Sequence, residues 1–295
     1  MEYPESVKRF CSEIIIINRR VIGIRGHKWY IHNVMIPQGI RRIGSAAFSY
    51  CTNLTTIELP DTLTHVDDFA FAGCRMITFL TLPNTLIHIG EDAFTECESL
   101  ISIRLPHTLT HIGNSVFKNC RKLTSITLPD TLTFIDWSGF NGCTALMSIT
   151  LPQSVWIIGN SCFSCCTTIT SIKLPDTLTH LGSHVFSSCT ALTSITLPHT
   201  LTHVGSHVFA DCNALTSVTF RPPISRRVFI VWVVGSSRHR DNWQITTLKH
   251  SHNILRLITE LALWSRDVSS LDPDKQKDLF LRCNPILLPN PTILT

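Results

Sequence analysis

Apolar and polar residues alternate in short segments that return along the chain at a fixed interval of 23 residues. In the segment from Leu192 to Leu201, serine and threonine separate the apolar residues Ile195 and Leu197. Such alternation predicts a short strand that buries one face. Pro198 follows, and because proline supplies no N–H to a strand ladder, we expect the strand to end there.

Proline, phenylalanine and cysteine mark each interval, with phenylalanine eleven residues after proline and cysteine three residues later. The prolines are Pro37, Pro60, Pro83, Pro106, Pro129, Pro152, Pro175 and Pro198. The phenylalanines are Phe48, Phe71, Phe94, Phe117, Phe140, Phe163, Phe186 and Phe209, and the cysteines run from Cys51 to Cys212 in the same phase. Eight units in phase predict a solenoid in which each unit covers the apolar face of its neighbour.

Each unit also has a small or turn-forming residue seven positions after proline. It is glycine in six units and aspartate at Asp67 and Asp136. Because these residues tolerate positive φ, we expect a left-handed turn residue there. A capping residue such as Asn114 or Ser183 follows and predicts one or two helical turns that carry phenylalanine and cysteine inward. The expected fold class is therefore an α/β repeat solenoid.

The repeated pattern L-x-x-I-x-L-P-x-x-L-x-x-I-G-x-x-x-F-x-x-C resembles the BspA-type leucine-rich repeat, and the resemblance covers Pro37 to Phe220. It implies a leucine-rich-repeat right-handed superhelix with a parallel β-sheet on the concave side. It also implies a binding role, since such proteins mostly act as adhesins or interaction modules. Family members at bacterial surfaces carry export signals, and none is seen between Met1 and Arg20.

Three regions are predicted along the chain. Residues 1–30 form an N-terminal cap with a strand pair around Ile14–Ile17 and Val21–Ile24, which covers the open end of the solenoid. Residues 31–220 form the solenoid, a partial strand followed by eight units of 23 residues. Residues 221–295 form a basic, helical C-terminal cap. Its apolar residues at helical spacing are Ile254, Leu257, Ile258, Leu261 and Trp264.

Composition indicates a globular protein, with 44% hydrophobic and 16% charged residues. The chain starts without a secretory signal, and its apolar runs are shorter than the roughly 20 residues that span a bilayer. We therefore expect a cytoplasmic protein whose cysteines are buried, reduced and packed as small hydrophobes. A cell-surface or secreted adhesin is the alternative. Scattered arginines in the tail predict a solvated surface rather than a nucleic-acid partner.

Catalytic signatures are absent from the sequence: it has no nucleophile–base motif, phosphate loop or paired-carboxylate motif. We expect neither an enzyme nor a cofactor. Histidines recur in register at His65, His88 and His111, at His180 and His203, and at His184 and His207. Two stacked imidazoles do not complete a metal site, so we expect a repeated surface position with at most a weak pH response.

A Cys-x-x-Cys pair interrupts the repeat at Cys162 and Cys165. Cys162 occupies a position filled by alanine, valine or glycine in other units, so it is expected in the core. Cys165 replaces polar residues such as Asn119 and Asp211, so it is expected at the surface. One buried and one exposed thiol make a poor metal site. Cys165 is thus the candidate for a readily modified thiol.

Departures from the repeat identify a first set of candidate binding residues on the strands. Most outward positions are serine or threonine, and the exceptions are Glu58, Phe79, Arg104 and Lys173. An outward phenylalanine near an arginine has the composition of an interface hot spot, although single exposed aromatic residues are also common. The regular Ser-x-Thr positions leave ice or crystal binding as a remote alternative.

A second candidate surface, the mid-array patch, comprises Phe134, Trp137, Trp156 and Ile157. These residues replace histidine, a capping residue and threonine of other units, and contiguous exposed apolar surface usually marks a contact site. Coverage by the tail or local burial is the alternative. We therefore predict a non-catalytic scaffold that binds a protein or peptide through the concave strands and this patch. A homodimer through Phe134 and Trp156 is a further possibility.

Overall fold

The computed structural model describes residues 14–24 and 27–220, and within them the backbone forms stacked coils of one repeat unit each. Strands of successive coils pair in parallel, with equivalent residues side by side. His65 is paired with His88, for example, and Val66 with Ile89. The predicted parallel-sheet solenoid is therefore confirmed in this part of the chain.

One side of the stack, the long-strand row, consists of strands of three or four residues just before the prolines. They are Asn33–Met35, Thr56–Glu58, Phe79–Thr81, Ser102–Arg104, Ser125–Thr127, Ser171–Lys173, Ser194–Leu197 and Ser217–Phe220. As the alternation predicted, the middle residue is buried and its neighbours face outward, as for Ile57 between Thr56 and Glu58. The row is divided into three sheets, and around residue 150 a single bridge joins Thr150 to Lys173.

A second side, the short-strand row, consists of two-residue strands after the prolines. They are Arg42–Ile43, His65–Val66, His88–Ile89, His111–Ile112, Phe134–Ile135, Ile157–Ile158, His180–Leu181 and His203–Val204. The second residue of each strand is buried. The first residue faces outward and is half-buried in every strand but the last, where His203 is exposed.

An antiparallel hairpin precedes the coils. Its strands are Ile14–Ile17 and Arg20–Ile24, so the predicted strand pair is confirmed. The two-residue turn uses Asn18 and Arg19, both with positive φ (50° and 61°), as a tight hairpin turn requires. The second strand pairs in parallel with Arg42–Ile43 and so extends the short-strand row by one hairpin.

The segment between glycine and cysteine is not helical, so the predicted helical turn of each unit is wrong. Every coil instead contains two left-handed residues four positions apart, such as Ser115 (φ 54°) and Asn119 (φ 58°). Left-handed residues interrupt a right-handed helix. The backbone amides alternate between partners: Phe117 N–H donates to Gly139 O of the next coil at 2.9 Å, and Lys118 N–H donates to Ser115 O at 3.1 Å. These coils contain strands and turns.

Helical structure within residues 14–24 and 27–220 is limited to one 3₁₀ turn at Lys28–Tyr30. In this part of the chain no helix is long and apolar enough to cross a membrane. The helical, basic cap predicted for residues 221–295 lies outside the described residues.

The recurring glycine does not have positive φ, so the predicted reason for it is wrong. At Gly182, an added Cβ atom would lie 2.6 Å from the backbone nitrogen of Asn160 and 2.7 Å from the carbonyl carbon of Gly159 in the preceding coil. Gly90, Gly159 and Gly205 are similarly close to backbone atoms. Adjacent coils therefore approach too closely for a side chain at these glycines, whereas Asp67 and Asp136 occupy the same repeat position in two other coils.

Gly113 is the exception among the glycines at this position, since the nearest atoms to an added Cβ are 3.8 Å away. The short-strand row is divided at the same point, because His88–Ile89 and His111–Ile112 belong to different sheets. The coils are thus less closely joined here than elsewhere along the row.

Phenylalanine and cysteine form two parallel rows inside the coils. Neighbouring phenylalanine rings are stacked, with centroids 5.3 Å apart for Phe48 and Phe71 and 5.8 Å apart for Phe186 and Phe209. The cysteine thiols donate to phenylalanine carbonyls of the preceding coil, as from Cys120 Sγ to Phe94 O at 3.3 Å. Ten described cysteines are free, and nine of them are buried. They act as small apolar residues that also satisfy a buried carbonyl.

Candidate interaction surfaces

The long-strand row exposes the four predicted exceptions, Glu58, Phe79, Arg104 and Lys173. Phe79 is 62% exposed. It lies on the strand that pairs directly with Ser102–Arg104, where its backbone partner is Ser102. Phe79 and Arg104 are therefore close neighbours on one sheet. Within the described residues the Arg104 side chain has neither an ion pair nor a hydrogen bond, which leaves its guanidinium available.

Glu58 and Lys173 are separated from this pair by the divisions of the row. The strand of Glu58 pairs with Asn33–Met35, and the strand of Lys173 belongs to the last sheet, beyond the interruption at Thr150. The structure thus joins two of the four residues, Phe79 and Arg104, within a single sheet.

The mid-array patch has two exposed and two half-buried members. Phe134 and Ile157 are direct partners on adjacent short strands, and both are half-buried. Trp137 is 59% exposed and Trp156 is 46% exposed. The indole of Trp156 meets the ring of His180 edge-on, with centroids 6.4 Å apart. Burial is partial, so each side chain retains surface for a contact.

Histidine rings continue the short-strand row on both sides of the patch. His180 and His203 are stacked with centroids 4.3 Å apart, and the Thr179 hydroxyl lies 2.8 Å from His180 Nδ1. Desolvation, followed by the charge of His203, lowers the pKa of His180. Among residues 14–24 and 27–220, no three His, Cys, Asp or Glu side chains lie close enough together to hold a metal ion. The rings are oriented instead by the hydroxyl of the preceding threonine, which lies within hydrogen-bond distance of Nδ1 at His65, His180 and His203.

The Cys162–Cys165 pair divides between core and surface. Cys162 is buried, whereas Cys165 is partly accessible and has positive φ (60°) at the second left-handed position of its coil. Ser164 Oγ lies 3.7 Å from Cys165 Sγ. Burial raises the pKa of the Cys166 thiol well above its usual range. In the same row of cysteines, burial raises the pKa of Cys97 to about 12. Such thiols stay protonated near neutral pH, and the thiolate is the reactive form.

Alkylation of the native protein at pH 8 is expected to label Cys165 well before Cys162 and Cys166. The reason is that Cys165 alone of the three is partly accessible. Peptide mapping by mass spectrometry after a brief pulse of iodoacetamide measures the order. Labelling in denaturant is the control, since all three thiols should then react alike. Equal labelling of Cys162 and Cys165 in the native protein would contradict the prediction.

A basic cleft at the N-terminal hairpin was missed from the sequence. It is lined by two arginine pairs, Arg19-Arg20 and Arg41-Arg42. The sequence does contain a sign of this cleft, namely two Arg-Arg dipeptides that stand 22 residues apart, close to one repeat period. Their proximity depends on the pairing of the hairpin with the first short strand, which the sequence pattern did not predict.

Stacked 23-residue coils, with rows of short parallel strands before and after the repeated prolines, define a β-solenoid of the leucine-rich-repeat class. Residues 27–146 and 110–229 match the family model described as BspA type Leucine rich repeat region. The chain belongs to this family.

Solved structures of bacterial proteins resemble the chain. A leucine-rich repeat protein from Bacteroides ovatus is 28% identical over 70% of this chain and 62% of that chain, with a TM-score of 0.58. A leucine rich cell surface protein from Faecalibacterium prausnitzii is 25% identical over 68% of this chain and 62% of that chain, with a TM-score of 0.49. The chain thus aligns with less than two thirds of the length of each of these two bacterial proteins. No curated protein sequence matches the chain.

Proposed function

We propose that the chain is a non-catalytic scaffold that binds a protein or peptide through the mid-array patch and the long strands around Phe79 and Arg104. The observation that carries the proposal is the exposure of Trp137 and Trp156, at positions where most other units carry polar residues. Large aromatic side chains dominate the energetics of protein interfaces. Leucine-rich repeat proteins generally serve as interaction scaffolds, which agrees with this assignment.

A rigid array suits such a role because it holds the contact residues in place before a partner arrives. The middle residues of the strands are buried, and the phenylalanine stack runs through the coils. Less conformational freedom is then lost on binding than with contact residues on flexible loops. All ten described cysteines are free thiols, which is consistent with action in a reducing compartment such as the cytoplasm.

The combined substitution of Trp156→Thr and Phe134→His is expected to preserve folding and remove partner binding. It restores the residues that other units carry at these positions, so the coil geometry is retained. Loss of two interface aromatic residues typically weakens binding by about 2–4 kcal/mol. Side-by-side affinity capture with the wild-type and variant chains, followed by quantification of each captured protein, measures the effect. Sedimentation of the purified chain measures self-association.

Ile87→Thr is the matched control, because Ile87 occupies the same repeat position as Trp156 and is 52% exposed, but lies outside the patch. It should leave binding unchanged. Equal capture by the wild type and the double variant, with no change in self-association, would overturn the proposed role of the patch. Loss of self-association alone would identify the partner as a second copy of this chain.

A further inference from the structure

Four arginines converge at the N-terminal hairpin. Arg20 is the backbone partner of Arg42 on adjacent parallel strands. The carbonyl of Arg19 accepts hydrogen bonds from the backbone amides of both Arg41, at 2.9 Å, and Arg42, at 3.4 Å. Strand pairing therefore places the two Arg-Arg dipeptides side by side. They line an open cleft of about 650 Å³, the basic cleft.

The positive charge of the basic cleft is only partly neutralised. Asp67, which is 7% exposed, accepts from Arg20 Nη2 at 2.8 Å and from Arg42 Nη1 at 3.1 Å. One carboxylate thus serves two guanidinium groups. Within the described residues, Arg19 and Arg41 have no ion-pair partner, and no acidic residue is among those that line the cleft. In the part of the chain that the structure describes, four guanidinium charges therefore face the single carboxylate of Asp67.

Hydrogen-bond donors also outnumber acceptors in this part of the molecule. Each guanidinium presents five N–H donors and no acceptor. Nε of Arg20 is shielded from solvent and finds no acceptor in the described structure. The charge of Arg42 also reaches His65 on the next strand: desolvation lowers the pKa of this histidine first, and Arg42 lowers it further. Like charges held together in this way favour an anion with several acceptor atoms.

We propose that the basic cleft binds a multiply charged tetrahedral oxyanion, a phosphate or sulfate group, held mainly by Arg19 and Arg41. Arg20 and Arg42 are oriented by Asp67 and supply the surrounding positive field. The planar guanidinium fork matches the oxygen atoms of phosphate and sulfate and can donate two parallel hydrogen bonds. This site lies on the N-terminal hairpin and is independent of the scaffold function proposed above.

The basic cleft also has an apolar margin, which indicates what kind of molecule carries the anionic group. Ile17 and Ile22, which are 53% and 43% exposed, line it together with the arginines. Exposed isoleucines beside a charged cleft favour an anionic group carried on an apolar body over a free inorganic ion. We therefore expect phenyl phosphate to bind several-fold more tightly than inorganic phosphate.

Isothermal titration of the full chain at low ionic strength tests the site with five probes: pyrophosphate, sulfate, inorganic phosphate, phenyl phosphate and acetate. Pyrophosphate and sulfate should bind, and acetate, with a single charge, should bind far more weakly. Arg19→Gln combined with Arg41→Gln should weaken pyrophosphate binding about tenfold or more, since hydrogen bonds to charged groups are removed. Added salt should weaken binding further. Binding of sulfate and of inorganic phosphate is also compared at pH 6 and pH 8. Because only phosphate gains charge over this range, the comparison distinguishes a phosphate ligand from a sulfate ligand.

Arg121→Gln combined with Lys122→Gln is the matched control, as both side chains are exposed on another coil and the charge change is the same. It should leave pyrophosphate affinity unchanged. Thermal unfolding of each variant checks folding, and the exposed positions of Arg19 and Arg41 predict an unchanged midpoint. Equal weakening by the two double variants, or the absence of pyrophosphate and sulfate binding to the wild-type chain, would overturn the proposal. Neither result bears on the mid-array patch.

Discussion

Replacement of Phe117 by alanine is expected to destabilise the protein by about 3–5 kcal/mol, the usual range for truncation of a buried phenylalanine. The ring is fully buried in the middle of the stack. Its centroid lies 5.7 Å from that of Phe94 and 5.5 Å from that of Phe140, so one substitution removes contacts to two coils.

Urea denaturation followed by circular dichroism measures this loss. The matched control is Phe79→Ala, which truncates the same residue type at an exposed position of the long-strand row. That substitution should change the free energy of unfolding by no more than about 0.5 kcal/mol. Similar losses for Phe117→Ala and Phe79→Ala would show that the stack does not hold the coils together as described.

Substitution of Gly182 by alanine is expected to cost about 2–3 kcal/mol, whereas the same change at Gly113 should be neutral or stabilising by up to about 1 kcal/mol. The two residues occupy the same repeat position and neither has positive φ. A methyl group at Gly182 would meet backbone atoms of the preceding coil at 2.6 Å and 2.7 Å. Backbone cannot move aside without lengthening the inter-coil hydrogen bond from Gly182 N–H to Ile158 O, now 2.9 Å.

A methyl group at Gly113 would find its nearest neighbours at 3.8 Å, an ordinary van der Waals contact. Alanine also reduces the conformational freedom of the unfolded chain, which accounts for the expected gain. Thermal and urea unfolding of both variants give the comparison. A large loss at Gly113, or none at Gly182, would refute close approach between coils as the reason for the repeated glycine.

The mistaken helical turn shows where a sequence pattern is ambiguous. A glycine, a capping residue and two apolar residues before cysteine fit a short helix and also a chain of turns. The deciding factor is the inter-coil hydrogen bond of alternate amides, such as that from Phe163 N–H to Val185 O at 2.9 Å. A neighbour 22 residues away provides it, so local propensity could not reveal it. The burial of phenylalanine and cysteine was predicted correctly, because both arrangements turn them inward.

The candidate surfaces were predictable to the extent that they depend on outward-facing strand positions. The exposure of Phe79 and Trp156 followed from placing the copies in register. Whether exposed residues meet was not predictable. Phe79 and Arg104 share a sheet, whereas Lys173 lies beyond a break in the row that no residue pattern marks. The basic cleft was missed for the same reason, since it depends on which strand the hairpin joins.

The sequence by itself determined the period of the solenoid, the inward and outward faces of its strands, the buried rows of phenylalanine and cysteine, and the family. These properties follow from residue spacing, because each unit buries its apolar residues against a neighbour with the same apolar spacing. Tertiary structure alone decided how closely the coils approach, where the strand rows divide, and which charged groups gather at the hairpin. These depend on distances between residues far apart in the chain, where one coil meets the backbone of the next.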